Sequence, residues 1–143
     1  MNSWLRRIGS AAGRGLSWAV TWAPAALLIG LVVDPDNSMD EMWVAIGAYP
    51  GFICGVLFSV LLGIAERGRR IDEVSLPRLA ALGAAAGLPV GAFPFAVGEP
   101  TSEIPLWLLA STVIGCIASL SAGSAVGTAL VSRSLRRRRL QSA

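Results

Sequence analysis

Residues 42–65 read MWVAIGAYPGFICGVLFSVLLGIA, and no side chain among them is charged. About 20 predominantly apolar residues in helical form cross the hydrocarbon of a bilayer, so this stretch predicts a transmembrane helix. Three further stretches qualify: 16–33, 79–97 and 104–131, all without charge. The third of the four is rich in Ala and Gly and carries Pro89 and Pro94. Proline frees backbone carbonyls that lipid cannot satisfy, so this span is expected inside the bundle. The last is long enough to tilt or to project beyond the hydrocarbon.

The charges between the spans set an orientation. Arg6, Arg7 and Arg14 precede the first span, and Arg67, Arg69, Arg70 and Arg78 lie between the second and third. Arg133 and Arg136 to Arg139 follow the fourth. The alternate loops hold Asp34, Asp36, Asp40, Glu41, Glu99 and Glu103 and no arginine. Cationic loops stay in the cytoplasm, which predicts both termini and the central loop there. The fold expected is an all-α integral membrane protein, with four transmembrane helices as two tandem helical hairpins in one membrane domain, 1–143. A basic N-terminal segment, 1–15, precedes the spans, as a short interfacial helix or a flexible tail, and a basic cytoplasmic tail, 132–143, follows them.

Composition agrees. The chain is 54% hydrophobic and 15% charged, where soluble domains carry about 25% charged residues, and its mean hydropathy is +0.63. All twelve cations are arginine, and histidine is absent, which excludes imidazole bases and His metal ligands. Arginine-only usage is expected of a GC-rich bacterial genome, hence a bacterial inner membrane. Cys54 and Cys116 stand alone in apolar runs and are read as small buried hydrophobes. Trp18 and Trp22 near the inner end, and Trp43 and Trp107 at outer ends, suit interfacial anchoring, with packing the better fit for Trp22.

Small residues recur at every fourth position of two spans. The second carries Gly47, Gly51, Gly55, Ser59 and Gly63; the fourth carries Ser111, Gly115, Ser119, Gly123 and Gly127. The two ladders match at an offset of 64 residues. Pro24 and Pro89, Trp43 and Trp107, and Arg69 and Arg133 match at 64 to 65. A parallel internal repeat of two hairpins follows. Positions four apart share a helix face, and small side chains there let two backbones approach in lipid. Gly83, Gly87 and Gly91 form a shorter strip on the third span, and Ser17, Thr21 and Ala25 one on the first. The opposite faces of the second and fourth spans, rich in Phe, Leu, Val and Ile, are expected to meet lipid. A seam that faces outward, for which Gly51 is the example taken, would bind a partner helix.

The loops offer little chemistry. Asp34, Asp36 and Ser38 imitate the start of a calcium loop, but Met39 stands where glycine is needed and Ala45 where glutamate is. Asp34 to Asn37 is turn chemistry, and Ser38 with Glu41 forms a capping box. Glu99 to Ser102 plays the same part before the fourth span. Arg136, Arg137, Arg138 and Arg139 form a juxtamembrane cluster suited to anionic lipid headgroups. No aromatic residue interleaves with them, so nucleic acid is not expected. In the loop 66–78, ion pairs among exposed side chains of small energetic worth are expected.

No span holds an ionisable group, the usual mark of ion-driven transport. Ser111, Ser119, Ser121 and Ser124 have no base to activate them. No catalytic, cofactor-binding or metal-binding residue is expected, and no enzyme activity. The function expected is that of an accessory or assembly subunit that packs against other membrane helices through its small-residue seams. Its partners are the lipid bilayer and another membrane protein or a second copy. The alternative is a small channel or facilitator for a neutral or weakly charged solute, lined by Ser59, Ser111, Thr112, Ser119, Ser124 and Thr128.

Overall fold

The computed structural model describes residues 3–33, 40–66, 71–98 and 105–141. All regular structure among them is helical: α1 (Ser3–Val33), α2 (Asp40–Ala65), a short 3-10 turn (Ile71–Glu73), α3 (Leu76–Val97) and α4 (Leu106–Gln141). The four long helices each hold a window long and apolar enough to cross a membrane. The turns Asp34 to Ser38 and Glu99 to Ser102 lie outside the described residues.

Two helices outrun their expected spans. α1 is continuous from Ser3 and passes through Pro24, so Arg14 sits within a helix whose apolar window runs Ile8–Val32. From Ser3 onward the residues ahead of Leu16 are thus continuous with the first span as one helix. α4 has 36 residues, about 54 Å at 1.5 Å per residue. That exceeds the roughly 30 Å of hydrocarbon, and its last turns, Ser134 to Gln141, carry the arginine cluster as helix rather than as loose tail.

The chain forms two compact units, Met1–Val60 and Leu61–Ala143, with the boundary inside α2. In the first, α1 and α2 run antiparallel: Gly47 meets Trp22 and Ala26, Gly51 meets Trp18 and Trp22, and Gly55 meets Arg14 and Gly15. The core between them is Trp18, Trp22, Cys54 and Phe58, all buried. Trp18 and Phe58 stack with ring centroids 5.3 Å apart. Trp18 is therefore a packing residue, not an interfacial anchor, because the glycines opposite leave room for its ring. Phe58 is fully buried beside it.

In the second unit α3 and α4 are also antiparallel, with Gly83 against Ser121 and Ala125, Gly87 against Ile117 and Ala118, and Gly91 against Ile114. Leu79, Ala86, Ala125 and Ala129 complete the buried seam. Within this pair α4 covers one side of α3, and Pro89 and Pro94 are exposed. Large apolar side chains elsewhere stand outward, as Val32 at 81% and Val20 at 72% exposure illustrate. Such a surface is suited to lipid, not water.

Candidate helix-packing seams

Two of the three sequence-predicted glycine strips are used inside the helix pairs. A Cβ built at Gly47 would stand 2.5 Å from the carbonyl oxygen of Trp22, and one at Gly83 would stand 2.7 Å from that of Ser121. Gly51, Gly55 and Gly87 likewise aim at the carbonyls of Trp18, Arg14 and Ile117. In each case the second α-hydrogen of glycine points at a carbonyl of the facing helix. Such Cα–H···O contacts contribute about 0.5–1 kcal/mol each, and any larger residue would push the backbones apart. Gly51, taken from sequence as an outward position, lies within the α1–α2 seam.

The third strip is placed differently. α4 turns Ile114, Ile117, Ala118, Ser121 and Ala125 toward α3. Its own ladder is left out of that contact: Gly115, Gly123 and Gly127 have nothing within 4 Å of where a Cβ would stand, among the described residues. Ser111 and Ser119 on the same ladder are exposed. The face of α4 that supplies the pair contact is built mostly from Ala and Ser with Ile114 and Ile117, while Leu120 and Leu130 stand exposed and the glycine ladder is open. Gly63, the last rung on α2, is open as well.

Ser121 is fully buried, and its hydroxyl has no hydrogen-bond partner among the described residues. A buried hydroxyl without a partner is costly. Ser121→Ala is therefore expected to stabilise the α3–α4 pair by about 1 kcal/mol, read as a raised unfolding midpoint in detergent. Ser121→Val, which adds volume between Gly83 and Gly87, is expected to lower it. Most other hydroxyls on the helices satisfy themselves locally. Thr21, Ser111, Thr112, Thr128 and Ser132 each donate to a carbonyl three or four residues back.

Charged side chains form two small assemblies. In the N-terminal half of α1, Arg14 Nη1 donates to Ser59 Oγ at 3.1 Å, and Ser59 Oγ donates to the carbonyl of Gly55 at 2.8 Å. The Arg14 guanidinium also stands over the Phe58 ring, 5.8 Å from its centroid. Ser59, read from sequence as a packing rung, thus holds an arginine in place of close backbone contact. In the second unit, Arg78 forms an ion pair with Glu66, whose side chain is 2% exposed against 55% for Arg78. Arg133 Nη2 donates to the carbonyl of Val74 at 2.7 Å, and Val74 is buried. Glu66 is therefore joined to α3 through a buried carboxylate rather than an exposed pair, and Val74 to α4 through its carbonyl. Removing the partner of a buried charge costs more than removing a donor to a neutral carbonyl. Arg78→Ala is expected to lower stability by about 1–3 kcal/mol and to exceed the effect of Arg133→Ala, with both measured by thermal unfolding.

Spacing alone did not distinguish Arg14 from the other arginines or Glu66 from other loop acids. No local signal marks Arg14, because the ring it stands over, Phe58, belongs to the facing helix. Arg136, Arg137, Arg138 and Arg139 are exposed on the last turns of α4, where a headgroup can reach them. The described residues hold no group of three or more acidic or cysteine side chains arranged to bind a metal.

These features define an all-helical protein with four helices long and apolar enough to span a membrane, which makes it a multi-pass membrane protein by class. Comparison with protein-family models, curated proteins and solved structures finds no match to the chain.

Proposed function

We propose that this chain is a non-catalytic accessory or assembly subunit of the bacterial inner membrane, which binds a partner's transmembrane helix along the Ser111, Gly115, Ser119, Gly123, Gly127 face of α4. The observation that carries this reading is the unequal use of the seams. Those of α2 and α3 are filled by the neighbouring helix within their own pairs, and that of α4 is not. In lipid, where apolar burial gives helices little reason to associate, a strip of small residues is a means of close approach. The matching ladders at an offset of 64 residues support two tandem hairpins with both termini cytoplasmic. One ladder would serve the chain's own packing and its counterpart a partner's. Arginines confined to alternate loops support the orientation, and the exposed cluster from Arg136 to Arg139 would rest among anionic headgroups.

The alternative of a solute facilitator draws less support. Several of its proposed lining hydroxyls, those of Ser59, Ser111, Thr112 and Thr128, already donate to their own helix. The deciding experiment is the native mass of the protein, with identification of co-purifying chains, after gentle solubilisation from its own membrane. A stoichiometric complex with a different membrane protein is the expected result. A monomer with measurable solute flux in liposomes would overturn it.

A further inference from the structure

We infer that Arg14 forms an oxyanion site that takes the phosphate of an anionic lipid headgroup at the N-terminal end of the α1–α2 pair. This rests on membrane insertion and is independent of the partner reading above. The guanidinium is half-buried and held in one orientation from two sides. Its Nη1 donates to Ser59 Oγ, and its plane stands over Phe58. Both supports are themselves fixed: Ser59 is oriented by its own bond to Gly55, and Phe58 is fully buried and stacked on Trp18. A guanidinium has five donors in a planar fork. One is used, and no carboxylate pairs with Arg14 among the described residues.

The edge formed by Nε and Nη2 is thereby left to grip two oxygens of one oxyanion, the geometry in which arginine surpasses lysine. On the same helix, Gly9 and Gly13 are exposed, and nothing lies within 4 Å of a Cβ at either. An arginine within an apolar helical window is expensive unless a counter-charge compensates it. Immediately below the headgroups, the counter-charge at hand is a lipid phosphate. Arg136 to Arg139 are exposed on the last turns of α4 and provide the contrast of an exposed cationic cluster.

Native mass spectrometry of the full chain in detergent, in a background with Arg136 to Arg139 changed to Gln, tests the site. The probes are dioleoylphosphatidylglycerol, dioleoylglycerol and inorganic phosphate. One phosphatidylglycerol retained per chain is expected, with retention weakened about tenfold by Arg14→Gln and less by Ser59→Ala or Arg14→Lys. Dioleoylglycerol, which lacks the phosphate, is expected not to displace it. Binding of inorganic phosphate without lipid retention, if lost in Arg14→Gln, would keep the oxyanion site and make its source a free anion. Equal retention by the parent and all three variants, or displacement by dioleoylglycerol, would overturn the proposal. Should Arg14→Gln fail to fold, Ser59→Ala and Arg14→Lys decide alone.

Discussion

Leucine at Gly47 is expected to destroy the α1–α2 pair, and alanine there to weaken it severely. The first added carbon would meet the Trp22 carbonyl oxygen at 2.5 Å and the Ala26 Cβ at 2.7 Å. Overpacking in a core commonly costs about 1–3 kcal/mol when side chains can shift. Here the obstacle is backbone of the facing helix, so relief requires the helices to separate, with loss of the Trp18–Phe58 stack and the Arg14–Ser59 bond. The expected cost of Gly47→Leu exceeds about 3 kcal/mol. Gly83→Leu is expected to do the same to α3 and α4, because its Cβ would stand 2.7 Å from the Ser121 carbonyl oxygen. Gly123→Ala provides the contrast, with an expected change within about 0.5 kcal/mol. Thermal unfolding followed by circular dichroism ranks the three. Equal sensitivity of Gly47 and Gly123 to alanine would contradict the assignment of seams.

Leucine at Gly123 or Gly115 is expected to leave the chain folded and inserted but to release its partner. Neither position has a neighbour within 4 Å of a built Cβ among the described residues, so the first added carbon would meet no atom of the α3–α4 contact. Against a partner backbone at seam distance it would project into the closest point of contact. Yield of the co-purifying chain should fall at least about tenfold, corresponding to roughly 1.4 kcal/mol of lost association. The unfolding midpoint of the chain itself should stay within error. Gly51→Leu, by contrast, is expected to reduce both, since Gly51 belongs to the α1–α2 seam. This difference separates a partner face from an internal one.

Span number was legible because it depends on chain chemistry alone: residues 42–65 hold no charge, and any helix they form is apolar on every side. Seam membership was legible only as spacing. The ladders on α2 and α4 look equivalent in sequence, yet α2 spends its ladder on α1 while α4 meets α3 through Ile114, Ile117 and Ser121. Which face of a helix is used depends on the neighbour's side chains. α3 brings its own glycines to the contact, so α4 need not supply any, whereas α1 brings Trp18 and Trp22 and α2 must make room. Arg14 was read as a flanking topology charge because sequence patterns do not show that Ser59 and Phe58 lie across from it. Glu66 was read as an exposed loop acid for the same reason: its side chain is buried and paired with Arg78 of α3, which no local motif announces.

A photo-reactive amino acid at Ser119, introduced in cells and activated in the native membrane, tests the partner face most directly. Ser119 lies midway along the open ladder and is exposed; Val20 on α1, 72% exposed, serves as the outward control. The account predicts one discrete intermolecular adduct with another membrane protein from position 119 and none from position 20. Adducts confined to lipid, or a link from position 119 back into the same chain, would contradict it.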